Sequence, residues 1–274
     1  MCGIAGALWR GTASATHVAH AMKSMVAPLH HRGPDDHGVW CDEQSGVGFA
    51  HARLSIIDLS PAGHQPMHSA SERYVITFNG EIYNHLALRA TLAREGTAPN
   101  WRGHSDTETL LAAFDAWGIE ETARRTVGMF AFGVWDQHEH VLTLVRDRYG
   151  EKPLYYGWQG DAFLFASELP SIKAHPAFNA AIDRNVLALY LRHNCIPAPW
   201  SIYRGIFKQM PGTIVRISRA DREPSVTTYW SVQQVIDTAA ANPFRGSPDE
   251  AVSELEARLS DAVNGQMMSD VPLG

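Results

Sequence analysis

An α+β fold is expected from the order in which strand-like and helix-like stretches follow one another along the 274 residues. Short β-type runs cluster at residues 47–52, 74–78, 130–135, 141–145, 154–158 and 163–166, separated by Gly, Asp or Asn turns. Helical spacing occupies 15–29, where Val18, Met22, Met25 and Val26 share one face, and then 86–94 and 107–117. Strands grouped apart from helices argue for sheets covered by helices, not for an alternating parallel sheet. The phosphate-cradling loops G-x-G-x-x-G and G-x-x-x-x-G-K-[ST] are absent from the sequence.

Residues 2–8 read as a short apolar strand, and Arg32-Gly33-Pro34-Asp35-Asp36 breaks the helix that follows it. After residue 217 the texture changes, and 218–246 reads as a polar, irregular linker. Ser247-Pro248-Asp249-Glu250 is a capping box with Pro at the first helical position. The helix it opens carries Val252, Leu255, Leu259 and Val263 at helical spacing and runs into Ser269-Asp270-Val271-Pro272-Leu273-Gly274. An amphipathic helix with nothing behind it to cover its apolar face predicts that a following domain is missing. The expected organisation is a domain over 1–217, a linker over 218–246, and the opening helix of a truncated second domain over 247–274.

Hydrophobic content of 45% and charged content of 19% describe a globular chain. A net charge of −6 and a pI near 6.1 offer no electrostatic attraction to nucleic acid or to an anionic membrane, so a small-molecule substrate is expected. No apolar run reaches the roughly 18 residues of a membrane span, and no basic-then-apolar leader opens the chain, which makes the cytoplasm the expected location. Cys2, Cys41 and Cys195 are odd in number and form no C-x-x-C pair, as suits a reducing compartment. His30, His31 and His37 are accompanied by no H-E-x-x-H or Cys/His finger spacing, so no metal centre is expected.

Chemistry is concentrated at the start. Removal of Met1 would leave Cys2 carrying both a thiol and a free α-amine, a nucleophile with its own base. An α-amine titrates at about 7.7–8.0, close to where a base must sit to work at neutral pH, whereas an ordinary thiol near 8.5 is only a few per cent thiolate. The alternative is a small residue opening a buried strand.

Attack on a carbonyl needs donors for the oxyanion, and Asn79-Gly80, placed at the end of the 74–78 strand, offers an amide side chain and a closely approachable backbone N–H. An ordinary Asn-Gly turn is the competing reading. Glu81 is placed to touch the same ligand. Arg53 follows the 47–52 strand and precedes Leu54-Ser55-Ile56-Ile57-Asp58. A guanidinium there can grip a carboxylate with paired hydrogen bonds, and the loop can offer backbone groups, although a surface arginine would look the same. Asp106, ahead of the 107–117 helix, can accept an α-ammonium, or can simply be an acidic residue favoured by the helix dipole. A zwitterionic amino acid requires one fixed cation and one fixed anion, and Arg53 with Asp106 supplies that pair.

Ordered blocks then tie these residues to one family. Met1-Cys2-Gly3-Ile4-Ala5-Gly6, His31-Arg32-Gly33-Pro34-Asp35, Arg53-Leu54-Ser55-Ile56-Ile57-Asp58, Asn79-Gly80-Glu81-Ile82-Tyr83-Asn84 and Ser105-Asp106-Thr107-Glu108 resemble the glutaminase domain of glutamine-dependent asparagine synthetases. Gly128-Met129-Phe130-Ala131-Phe132, Arg146-Asp147-Arg148-Tyr149-Gly150, Lys152-Pro153-Leu154-Tyr155-Tyr156 and Ser167-Glu168 extend the resemblance over most of 1–217.

The resemblance implies the N-terminal-nucleophile hydrolase fold, a four-layer αββα sandwich of two mainly antiparallel sheets. It implies that Cys2 attacks the side-chain amide of L-glutamine, that Asn79 and Gly80 form the oxyanion hole, and that Arg53 holds the substrate carboxylate. Asp106, assisted by Glu81, would hold the α-ammonium, with the backbone of Leu54, Ser55, Ile56 and Ile57 lining the site. No cofactor is expected in this chain. ATP and magnesium would belong to the missing C-terminal synthetase domain, which is the expected partner and receives ammonia through an internal passage; a homodimer is left open. Aspartate is the default acceptor, with a sugar acid or a peptide carboxylate as alternatives. A non-catalytic module of the same fold and redox sensing at Cys2 are the readings from other classes, the latter without an evident resolving cysteine.

Overall fold

Strand alternation and helix capping together set the architecture, which the computed structural model describes for residues 1–271. The last three positions of the expected apolar turn, Pro272, Leu273 and Gly274, lie outside the described residues. Along the chain run β1 (Gly3–Trp9), α1 (Ala15–Val26), β2 (Asp36–Asp42), β3 (Val47–Arg53), β4 (Met67–His68), β5 (Tyr74–Ile82), α2 (His85–Arg94), α3 (Asp106–Trp117), α4 (Ile119–Arg125), β6 (Gly128–Asp136) and β7 (Val141–Arg146). Then follow β8 (Tyr155–Gln159), β9 (Ala162–Ala166), α5 (Leu169–Lys173), α6 (Arg184–His193), β10 (Ile206–Lys208), β11 (Thr213–Ser218), β12 (Ser225–Thr228), α7 (Val232–Ala241) and α8 (Pro248–Gln266).

Among the described residues the strands form two six-stranded sheets, ordered β10-β8-β9-β1-β3-β2 and β12-β11-β7-β6-β5-β4. Every neighbouring pair is antiparallel. Period-2 alternation gives each sheet two apolar faces. Ala5, Ala7 and Trp9 of β1 face outward and pack with Val18, Met22 and Met25 of α1 and Ile172 of α5. Ile76, Phe78 and Phe130 of the second sheet face outward against Leu110, Leu111 and Phe114 of α3 and Ala123 of α4. Between the sheets lie Ile4, Leu8, Phe49, Val75, Trp135, Leu144, Phe163 and Phe165. The layers are therefore helix, sheet, sheet, helix, as the resemblance implies.

Local chemistry explains where the helices start. Ser14 caps α1 by accepting the His17 N–H, and Ser105 caps α3 by accepting the Glu108 N–H. Gly118, at φ +78°, ends α3 in a conformation that disfavours a side chain.

Two expectations are corrected. Asn79-Gly80 is neither a turn nor a strand end: β5 continues to Ile82, with Asn79 opposite Ala131 and Gly80 opposite Phe130. The reason is steric, because a Cβ at Gly80 would lie 2.4 Å from the Met129 carbonyl oxygen, so glycine lets β6 approach closely. The 218–246 stretch is not irregular either. β11 runs through Ser218, β12 extends the same sheet, and the buried Tyr229 donates its hydroxyl to the Arg146 carbonyl at 3.0 Å. Ser231 then opens α7 with its own capping box. The polar composition of β12 reflects an edge strand whose four residues are all exposed, a setting with no apolar alternation to read. In α8, Val252, Leu255, Leu259 and Val263 remain 58–64% exposed.

Candidate active site

Three strands and one helix end deliver side chains to the rim of the inter-sheet layer. Cys2 precedes β1 in phase with Ile4 and Leu8, which face the other sheet. Arg53 ends β3 in phase with Phe49. From the opposite sheet, Asn79 and Glu81 of β5 are in phase with Val75, which also faces inward. Asp106, the first residue of α3, completes the ring. These side chains line one cavity, part of it open to solvent, together with Met1, Leu54, Ile56, Ile57, Gln65, Phe78, Gly80, Thr107 and Lys152.

Cys2 is held by its backbone and by its sulfur. The Arg32 Nε donates to the Cys2 carbonyl at 2.9 Å while Arg32 also pairs with Glu168 at 2.6 Å. Ile4 N–H donates to Ser167 Oγ at 3.0 Å, so the strand entering the site is fixed on both sides. The sulfur accepts the Leu54 N–H at 3.4 Å and donates to the Leu54 carbonyl at 3.5 Å. Burial pushes the Cys2 thiol up, opposed by the Leu54 N–H and by the positive N-terminus and Arg53. Such a thiol does not ionise unaided and needs a base. The α-amine of the described chain belongs to Met1, and burial holds it below its ordinary value.

Asn79 is 1% exposed, and its side-chain Nδ2 is buried without a hydrogen-bond partner among the described residues. A buried unpaired donor is costly unless a ligand atom takes it up. The Arg53 guanidinium donates to the Ser60 carbonyl at 3.2 Å and to the Asp58 carbonyl. Gly63 makes room for it, since a Cβ there would sit 2.0 Å from a guanidinium nitrogen. Two of five N–H groups are thereby used to aim the fork, and the rest remain for a carboxylate. Asp106 accepts the Ile82 N–H at 2.9 Å, yet burial raises its pKa to about 7. Glu81 is likewise raised by burial, with Lys152 and the N-terminus opposing. The cavity thus offers a thiol, a fixed guanidinium and, among the described residues, an unpaired amide donor and a carboxyl without an ion-pair partner.

The residues matched by the family model for the glutamine amidotransferase domain are 1–230. The chain belongs to this family. The glutamine amidotransferase match reaches past residue 217 to include β12 and Trp230, in keeping with the continuous sheet. The chain is 38% identical to the glutamine-hydrolysing asparagine synthetase 1 of Bacillus subtilis (strain 168) over 275 residues, covering 100% of this chain and 41% of that protein. It is 32% identical to the putative glutamine-hydrolysing asparagine synthetase 2 of Methanocaldococcus jannaschii, covering 100% of this chain and 54% of that one. The chain therefore spans about half the length, or less, of these relatives. In fold it is similar to glutamine phosphoribosylpyrophosphate amidotransferase from B. subtilis complexed with ADP and GMP, at a TM-score of 0.60 and 18% identity, covering 84% of this chain and 49% of that one.

Within this amidotransferase domain, Cys2, Arg53, Leu54, Ile56, Ile57, Asn79, Gly80, Glu81 and Asp106 all line the one cavity. Ser55 does not: its N–H donates to Asp35 Oδ2 at 2.8 Å, and it borders a neighbouring depression with Asp36 and His64. The exception follows from the backbone of Ser55, which is turned to Asp35. Sequence reasoning missed Gln65, Thr107 and Lys152. Gln65 accepts the Phe78 N–H at 2.7 Å and donates to Thr107 at 3.1 Å, bracing β5 against α3. Only the polar break around Gln65-Pro66 hints at this. Among the described residues, no group of three or more His, Cys, Asp or Glu is placed to hold a metal ion, and no helix is long and apolar enough to cross a membrane.

Proposed function

We propose that this chain is the glutaminase portion of a glutamine-hydrolysing asparagine synthetase. One observation carries the reading: Cys2, the unpaired Asn79 amide and the oppositely charged Arg53 and Asp106 converge on a single cavity. Once Met1 is removed, the α-amine takes the thiol proton and the sulfur attacks the glutamine carboxamide carbon. Negative charge moves to the carboxamide oxygen, toward Asn79 Nδ2 and the Gly80 N–H. The C–N bond breaks as the ammonium returns its proton, and ammonia leaves a glutamyl thioester. Water, giving its proton to the same amine, displaces the sulfur and releases glutamate.

Arg53 receives the substrate carboxylate and Asp106, with Glu81, its α-ammonium. The raised proton affinity of Asp106 supports this assignment, because an incoming ammonium would stabilise the ionised form. The ammonia would pass to a carboxylate, aspartate by default, activated with ATP and magnesium in a companion synthetase region. The names and greater lengths of the relatives support that half of the reading. A free thiol nucleophile suits the reducing cytoplasm. The test is glutamate release from glutamine without ATP. Wild-type protein lacking Met1 releases glutamate, and Cys2→Ala binds glutamine without turnover; no release by correctly processed wild type contradicts the proposal.

A further inference from the structure

Lys152 carries a charge that the reaction above leaves without a task. It is 4% exposed and lines the cavity with Met1, Cys2 and Glu81. Its backbone is fixed at both ends: its N–H donates to Asp147 Oδ2 at 3.0 Å and its carbonyl accepts Arg146 Nε at 2.8 Å. Asp147 in turn accepts the N–H groups of Phe130, Tyr149 and Glu151, so the turn presenting Lys152 is tied to β6. Among the described residues, its ammonium makes neither a hydrogen bond nor an ion pair. The ammonium opens onto the cavity, and burial of the side chain lowers its proton affinity, so its charge is held there at a cost.

The neighbours decide what it can do. Glu81 and Glu151 attract the ammonium, Arg32 repels it, and Cys2 attracts it when ionised. At the α-amine of Met1, one residue ahead of the amine that Met1 removal would leave on Cys2, burial, Arg32 and Lys152 all drive the proton off, while Cys2 and Glu81 hold it on. Arg32 is already offset by its 2.6 Å ion pair with Glu168. Lys152 has no such contact to blunt its field.

We propose that Lys152 is a positioning residue whose ammonium keeps the α-amine beside the Cys2 sulfur in its unprotonated, base-competent form. The inference rests on the glutaminase reading. A base must be free of its proton to accept one from the thiol, and an ordinary α-amine is mostly protonated at pH 7. A like charge lining the same partly desolvated cavity lowers that proton affinity. The proton is repelled electrostatically, and no bond to Lys152 forms or breaks.

The experiment follows kcat/KM for glutamate release against pH in wild type, Lys152→Met, Lys152→Gln and Lys152→Arg, each verified by mass to lack Met1. The two neutral variants are expected to move the acidic limb up by about one pH unit while keeping the alkaline plateau within roughly threefold, and Lys152→Arg to restore the wild-type limb. NMR titration of a 15N-labelled Cys2 amine in the same proteins reads the proton without turnover and is expected to shift in parallel. An unchanged limb and an unchanged amine titration in a folded neutral variant overturn the proposal. So does failure of both neutral variants to fold while Lys152→Arg folds, which would make the charge structural. A wild type that releases no glutamate overturns the glutaminase reading instead, and the amine titration still decides the role of Lys152.

Discussion

Asp106, the proposed acceptor of the substrate ammonium, has its proton affinity raised by burial. Its carboxyl sits at about 7 because burial penalises the ionised form more than the Ile82 and Thr107 N–H groups favour it. In the proposed role the ionised form binds the glutamine ammonium, so the sign is clear: binding is fully available above pH 7 and is lost as pH falls through that value. KM for glutamine should rise about tenfold per pH unit below 7 while kcat changes less, until the bound-state pKa is reached; a KM flat between pH 8 and 5.5 contradicts the assignment. The same group trades stability for binding. The folded state holds this proton more tightly than the unfolded chain, so its contribution declines as pH rises from about 4 to 7, by on the order of 4 kcal/mol. Asp106→Asn should therefore melt at higher temperature than wild type at pH 8 without ligand, and bind glutamine poorly. Across the cavity, Asn79→Ala removes a donor aimed at developing charge and should lower kcat by about 10²–10³ with a smaller effect on KM, as steady-state kinetics would show.

At the scale of elements, the site depends on how the first strand is pinned. Arg32 and Ser167 hold the backbone of Cys2 and Ile4 from two different loops. Arg32→Ala should cost about 100-fold in kcat with little change in KM, because a displaced sulfur no longer meets the carboxamide in line; equal losses in both parameters would point to general damage. The residues of this machinery are legible in the sequence wherever strict alternation or a capping signal marks them. β1, β3, β6 and β7 read as short apolar runs because both faces are covered, α1 and α3 follow helical spacing, and Asp106 follows from its place behind Ser105. Asn79-Gly80 reads as a strand end because a dipeptide that favours turns is here carried through a ladder by the close approach of β6. Ser55 reads together with its neighbours because a run of loop residues does not announce which of them faces the cavity. Lys152 stands in a block that carries the resemblance, but nothing in that block marks its side chain as cavity-lining, since its place beside Cys2 and Glu81 is made by folding.

For the whole molecule, the sheet that carries Asn79 does not end at residue 217. β12 and Tyr229 close its far edge, and Arg124 donates to the Tyr229 carbonyl at 2.9 Å, linking that edge to the helix layer. A chain ending at residue 230 should melt cooperatively and retain glutamate release, whereas one ending at 217 should lose the cooperative transition, as calorimetry would record. Composition could not reveal this, because an exposed edge strand of Ser225, Val226, Thr227 and Thr228 looks like a linker. In the proposed function, the two sheets, their helices and the rim cavity set a sulfur and an amine over a carboxamide. The most direct measurement is peptide mapping by mass spectrometry after exposure to a glutamine analogue bearing a diazoketone in place of the carboxamide. One adduct on the sulfur of Cys2, in a chain that lacks Met1 and is protected by glutamine, is the result expected. Labelling confined to Cys41 or Cys195, or glutamate release by protein that retains Met1, would contradict the account.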